Sequence, residues 1–354
     1  MERLQMLRQH LSSNVLHEDF PRTRIFTLNR PERLNSLNYE MIQTISDLIN
    51  TARNKNFVFQ SCTPKAFSAG GDILAIFENP LIILEFYRAE LSTIYQVYKQ
   101  PTETLAILRG LCIGAGNGIA MACKYRVCTE TTRFSMPESA VGLVPDAGAS
   151  YFFSHLSNKS LGLYIMLTGK ALDGIDLYWA GLSTHYIPEA QIPIVLEEIK
   201  SSSSLHEVLD KYHQPPLQEK SKLLMHLTEI EDIFTDITTI DDLFLNLSIN
   251  STPFKNETKL ILAKLCPLSL KLALKTFKLG LSRNLKEVLE QDYSFGVQLG
   301  YRRSYNFMTA VTKKLVEKVK EDIKWYPEDI KEVTEEMVNT IITNPEGPFL
   351  QLES

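Results

Sequence analysis

Up to about residue 190 the chain alternates short strand-like runs with helical periodicity, and this alternation constrains its fold more than any single motif does. Thr23–Asn29 is β-like and ends at Arg30-Pro31. Tyr39–Ala52 places Met41, Ile42, Ile45, Leu48 and Ile49 on one helical face, with Asn38 as its N-cap. Asn56–Ser61 reads as a second strand and Lys65–Asp72 as a turn. Glu85–Lys99 is helical, Thr104–Leu108 is a strand entering a glycine-dense loop, and Gly116–Cys123 opens a helix. Tyr125–Thr129 and Arg133–Ser135 are short strands. Beyond residue 190 the strand signal fades. Ser201–Ser204 and His213–Pro216 read as loops, and Leu260–Lys278, Leu285–Gln298 and Tyr305–Val319 as helices. The expectation is an α/β core with a helical C-terminal half.

At 354 residues the chain exceeds one typical core, so two domains, or one with a long extension, are expected. A net charge of −5 argues weakly against a dedicated nucleic-acid binder, but the average hides a strong polarity. Glu229–Asp242 holds six acids and no base, whereas Lys259–Lys286 holds seven bases and no acid. The five cysteines form no CxxC and read as buried free thiols in a reducing compartment. Seven scattered histidines show no HExxH or paired spacing, so no metal site is expected. No run approaches the roughly 18 apolar residues of a membrane span, and no membrane association is expected. Met1–Asn14 carries Arg3 and Arg8 with Leu4, Leu7 and Leu11 at helical spacing; it reads as a short mitochondrial presequence or as an ordinary N-terminal helix.

Residues 133–149 carry the chemistry. Glu138 and Asp146 stand eight residues apart among apolar and small residues, each directly after a proline that stiffens the backbone. Upstream lie Ser68-Ala69-Gly70-Gly71-Asp72 and Gly114-Ala115-Gly116-Asn117-Gly118. Each glycine loop has two readings, a tightly packed turn or a set of backbone amides facing a ligand. Neither matches GxGxxG or a P-loop. Asp72 most simply caps the turn at Ile73–Phe77. Carboxylates beside exposed amides point to acyl chemistry.

Together these segments resemble the crotonase (enoyl-CoA hydratase/isomerase) superfamily. The resemblance rests on Leu28-Asn29-Arg30-Pro31 with Leu34-Asn35-Ser36-Leu37, on Ala66-Phe67-Ser68-Ala69-Gly70-Gly71-Asp72-Ile73, and on the glycine loop. Met136-Pro137-Glu138 with Gly142-Leu143-Val144-Pro145-Asp146 is similar to its 3-hydroxyisobutyryl-CoA hydrolase branch, as are Leu167-Thr168-Gly169-Lys170 and Leu265-Cys266-Pro267-Leu268.

The resemblance implies a crotonase-like spiral of ββα units over residues 23–190, an N-terminal extension over 1–22, and a helical region over 191–354. It implies backbone amides of Gly71 and Ala115 as an oxyanion hole, with Glu138 as nucleophile or general base. Asp146 would handle the substrate hydroxyl and proton transfer. Glu90, Ala115, Glu138 and Asp146 would bind substrate. No cofactor is implied beyond the CoA of the substrate, and the setting would be valine catabolism in the mitochondrial matrix. Hydratases carry a second glutamate where this chain has Gly118, which disfavours addition of water across a double bond. Dienoyl-CoA isomerases share an acid pair like Glu138/Asp146, so an isomerase is one alternative. Near the C-terminus the hydrolases carry an acid and an arginine where this chain has Thr309 and Thr312, and Ala147-Gly148-Ala149-Ser150 replaces an all-glycine run. With the basic stretch at Lys259–Lys286, those departures motivate a second alternative, a structural subunit of the mitochondrial ribosome contacting its RNA and proteins. A homo-oligomer is a further expectation.

Overall fold

The computed structural model describes residues 13–52, 54–344 and 347–353, so the presequence reading of Met1–Asn14 lies almost wholly outside the described residues. The chain divides into two compact units. One takes residues up to Gly71, Thr93–Phe134 and Leu172–Ser221; the other takes Asp72–Ser92, Ser135–Ala171 and the chain from Lys222 onward. Both draw on segments from either side of residue 190.

Among the described residues there are ten strands, which lie in the first unit apart from the last residue of β8: β1 (Val15–Asp19), β2 (Thr23–Leu28), β3 (Asn56–Ser61), β4 (Ala66–Ser68), β5 (Thr104–Leu108), β6 (Leu111–Ile113), β7 (Tyr125–Cys128), β8 (Arg133–Ser135), β9 (Leu172–Asp173) and β10 (His185–Tyr186). A six-stranded sheet runs β1-β2-β3-β5-β7-β10 and a four-stranded sheet runs β4-β6-β8-β9. Each of the pairs β3–β4, β5–β6 and β7–β8 sends its first strand to the larger sheet and its second to the smaller. This is the expected ββα spiral. From β2 through β10 the larger sheet is parallel. Parallel strands are covered on both faces and therefore read as continuous apolar runs; β2 and β5 are buried throughout. On one face Ile25, Val58, Leu105, Ile107 and Val127 pack against Ile192, Val195, Ile199, Leu205, Val208 and Leu209 of two helices, Ile192–Ser201 and Leu205–Tyr212. Phe26 stacks on Phe59 at 4.7 Å.

β1 corrects the reading of residues 1–22 as an extension outside the core. Val15–Asp19 pairs antiparallel with β2 along its whole length. Its polar His17, Glu18 and Asp19 mask the strand signal because an edge strand needs only one apolar face. Cys62 is also a correction: it is exposed, while Cys112, Cys123, Cys128 and Cys266 are buried as expected, and all five thiols are free.

The second unit is mainly helical. The helix expected at Leu260–Lys278 is two, Pro253–Ala263 and Pro267–Gly280. Pro267 has no N–H and pushes Cys266 into extended geometry (φ −62°, ψ 120°), which ends the first helix and starts the next. Lys159–Thr168 packs on Ala149–Ser154 at backbone distance, because a Cβ on Gly162 would lie 2.1 Å from the Phe153 carbonyl oxygen. Among the described residues no helix is long and apolar enough to cross a membrane.

The Gly162 contact predicts that Gly162→Ala forces these helices apart and costs about 1–3 kcal/mol, the usual range for overpacking. Thermal melting of the variant checks this; an unchanged midpoint would mean that the helices have room to spare.

Candidate functional site

In the first unit the parallel pairing of β4 with β6 (Ala66 opposite Leu111, Ser68 opposite Cys112) ends both strands on one edge. The turns that follow, Gly70-Gly71 and Gly114-Ala115, therefore emerge side by side. Ala115 is the first residue of the Ala115–Ala122 helix, where backbone amides have no intrahelical acceptor and the helix dipole favours negative charge. Gly116 is needed for this approach, since a Cβ there would lie 2.4 Å from the Ser68 Cβ.

The Leu34-Asn35-Ser36-Leu37 segment braces the first turn. Leu37 N–H donates to the Gly70 carbonyl at 2.7 Å, and Ala69 N–H to the Leu34 carbonyl at 2.9 Å. Asn35, fully buried, accepts from Arg30 N–H at 2.8 Å and donates to the Ala66 carbonyl at 3.0 Å. Ser68 Oγ donates to the Asn35 carbonyl at 2.9 Å and accepts from Gly70 N–H at 3.2 Å. Asp72 begins the second unit, where its carboxylate accepts from Ala75 N–H at 3.2 Å as the expected N-cap of Ile73–Glu78.

The second unit assembles the acids. Glu138 opens a short 3₁₀ turn, Glu138–Val141, directly after Pro137. Asp146 is buried and accepts a hydrogen bond from the Tyr87 hydroxyl. Glu90, one helical turn beyond Tyr87, is 2% exposed. Two members of this cluster were not legible in the sequence. One is Tyr87. The other is Asp292, 1% exposed, whose Oδ2 accepts from Gly148 N–H at 2.8 Å and so holds the loop that carries Asp146. That loop contains Ala147 in the left-handed region (φ 54°), a strained conformation for a side-chain-bearing residue. Only a register call on the Leu285–Phe295 helix, placing Asp292 on its buried face, offered a signal for it.

Burial is the main cause that raises all four carboxyls, and repulsion adds to it for three of them. Asp146 is pushed up to about 6, restrained by the Tyr87 hydroxyl. Glu138, Glu90 and Asp292 lie well above the usual carboxylate range, each raised further by the charge of Asp146. Glu90 Oε1 and Glu138 Oε2 are buried without a hydrogen-bond partner. Orphaned oxygens of this kind are rare in folded proteins and suit positions that a polar ligand completes.

The C-terminal segment that departs from the hydrolase pattern supports the Glu138 turn. Lys314 Nζ donates to the Ala140 carbonyl at 2.9 Å. A Cβ on Gly142 would lie 2.7 Å from the Asn306 backbone, and the Asn306 side chain pairs with both backbone groups of Tyr326 at 2.7 Å. In the basic stretch, Lys264, Lys275 and Lys286 lie within 4.0 Å of Asp322, Glu335 and Glu290. Lys271 and Lys278 donate to the Val333 and Thr238 carbonyls. These amines serve the chain's own acceptors.

A family profile described as "Enoyl-CoA hydratase/isomerase" matches residues 23–342. The chain is 32% identical to the mitochondrial 3-hydroxyisobutyryl-CoA hydrolase of Xenopus tropicalis, over 99% of this chain and 96% of that protein. It is 32% identical to the human protein of the same name, over 93% and 88%. Its fold is similar to a crystal structure of a carnitinyl-CoA dehydratase from Mycobacterium thermoresistibile, with a TM-score of 0.86 and 26% identity over 94% of this chain and 96% of that one. With the strand-paired glycine turns and the buried acids already in place, these likenesses assign the chain to the enoyl-CoA hydratase/isomerase, or crotonase, family.

Proposed function

We propose that the chain hydrolyses a short hydroxyacyl-CoA thioester, 3-hydroxyisobutyryl-CoA above others, and releases CoA as a step of valine catabolism in the mitochondrial matrix. The observation that carries this reading is Glu138, a half-buried residue with one buried, unpartnered carboxyl oxygen beside Asp146, in a chain with Gly118 where hydratases hold a second acid. The amides of Gly71 and Ala115 stabilise the thioester oxygen as it gains charge; a donor of this kind is worth roughly 2.7–4 kcal/mol of barrier. Glu138, as carboxylate, either attacks the carbonyl carbon to give a mixed anhydride that water then opens, or takes the proton of a water that attacks that carbon directly. The carbon–sulfur bond breaks, a carbon–oxygen bond forms, and the CoA thiolate leaves and is protonated. Asp146, steadied by Tyr87, binds the substrate hydroxyl and moves protons, and Glu90 contacts the acyl group. No cofactor beyond the CoA of the substrate enters this scheme.

The acid pair is also compatible with a dienoyl-CoA isomerase, which would shift a double bond and release no thiol. For the ribosomal-subunit reading, the lysines from Lys264 to Lys286 are the relevant groups.

Free thiol released from 3-hydroxyisobutyryl-CoA is expected with the wild-type protein and not with Glu138→Ala; equal rates from both would sink the proposal. Protein purified from native extract at moderate salt should migrate as a free oligomer, and co-sedimentation with ribosomal particles would move the assignment to the subunit reading. The raised carboxyl of Asp146 gives a separate expectation for stability. Between its ordinary value of 3.8 and about 6 the folded state holds a proton that the unfolded chain has lost, so stability falls as pH rises through that window and stays lower above it. Asp146→Asn removes this penalty. The variant should melt a few degrees above wild type at about pH 8 and show no such gain at about pH 3.5; equal melting at the higher pH would contradict the buried-charge account.

A further inference from the structure

In the first unit, away from the residues assigned above, β10 and the Leu205–Tyr212 helix bring together His185, His206 and Asp210. We propose that these three residues form a binding site for one divalent transition-metal ion of the zinc type, clipping β10 to this helix.

The donor geometry carries the proposal. Bonds of about 2.0–2.1 Å in a tetrahedral zinc site separate neighbouring donors by about 3.3 Å. Asp210 Oδ1 lies 3.2 Å from His185 Nε2 and 3.5 Å from His206 Nδ1. One donor atom from each of the three residues falls within 4.8 Å of the others. His206 and Asp210 are four residues apart and share one face of their helix, while His185 comes from the strand. The metal occupies the space in front of these atoms, and solvent reaches the fourth position past the half-exposed side chains of His206 and Asp210.

The surroundings suit a ligand set. His185 is nine-tenths buried, and its Nδ1 lies 2.8 Å from Thr184 Oγ1, the outer hydrogen bond that orients a ligating imidazole. When that hydroxyl spends its proton on the Arg126 carbonyl, 3.0 Å away, Nδ1 of His185 must be the donor and the lone pair of Nε2 faces the Asp210 carboxylate. In the neutral ring these two acceptors, 3.2 Å apart, are bridged by a cation, the role that a proton on Nε2 takes in the imidazolium. The Tyr125 ring stacks on His206 at 5.6 Å and fixes its plane. His213, close to His185, is not a ligand, because Tyr186 N–H and the Tyr178 hydroxyl take its two nitrogens.

The test uses the full chain, stripped with chelator under reducing conditions and titrated with zinc by calorimetry and with cobalt(II) by absorption spectroscopy. One equivalent is expected per chain, with visible cobalt bands of a four-coordinate N/O site and a melting temperature that rises with metal concentration. His206→Ala and Asp210→Ala, both on the solvent side of a helix, should each weaken binding by more than about tenfold. Cys62→Ser, which removes the exposed thiol, and His226→Ala should leave binding unchanged. No saturable binding would overturn the proposal. So would His206→Ala and Asp210→Ala proteins that bind as wild type, or a Cys62→Ser loss as large as theirs.

Discussion

Parallel strand pairing is the constraint on which the rest of the first unit depends. A parallel strand ends on the same edge as its partner, and the chain must then cross back over a face of the sheet. For β4 and β6 this puts Gly71 and Ala115 on one edge without any contact between distant side chains having to arrange it. After β10 the chain returns to cover one face of β2, β3, β5 and β7 with the apolar sides of Ile192–Ser201 and Leu205–Tyr212, which helps to bury those strands so completely. The brace from Asn35 and Ser68 then removes the remaining freedom of the first turn. A backbone donor held in this way keeps its direction while charge develops on the atom it faces.

The second unit meets the opposite demand. Three carboxyls, Glu90, Asp146 and Asp292, are almost fully buried and Glu138 partly so, and desolvation holds Glu90, Glu138 and Asp292 well above the usual range. Such burial opposes folding, and the helices around the cluster offset it through close packing, the Gly162 contact among them. The arrangement separates the acids in function. Tyr87 steadies Asp146, Asp292 fixes the loop that presents it, and Glu138 and Glu90 keep oxygens without partners. The C-terminal segment departs from the hydrolase pattern at Thr309 and Thr312, yet it still supports the Glu138 turn through Lys314.

Much of this was legible in the order of residues. The N-caps at Asn38 and Asp72 follow from local rules and hold in the structure at 2.9 and 3.2 Å. The strands of the larger sheet from Thr23 to Cys128, and β8, lie where their apolar runs place them, because a buried strand advertises itself in composition; β4 falls inside the segment read as a turn and β6 in the glycine-dense loop, each only three residues long. Edge strands and broken helices do not. Val15–Asp19 is polar on one side, and the helical period from Leu260 to Lys278 runs across Pro267 as though the proline were absent. Tyr87 gave no signal, and Asp292 only its place in phase with Leu285, Val288 and Leu289, since a polar residue on a helix reads as solvated until its neighbours are known.

By itself, the sequence determined the alternation of strands and helices, the two glycine turns, and the proline-stiffened acids at 138 and 146. These are local properties of backbone stiffness, periodicity and residue size. Only the tertiary structure decided which acids share a desolvated space, that Asn35 and Ser68 lock the first turn, and that His185 meets His206 and Asp210. Charge repulsion, desolvation and metal ligation depend on distances of a few ångströms between residues far apart in the chain, and those distances exist only once it has folded.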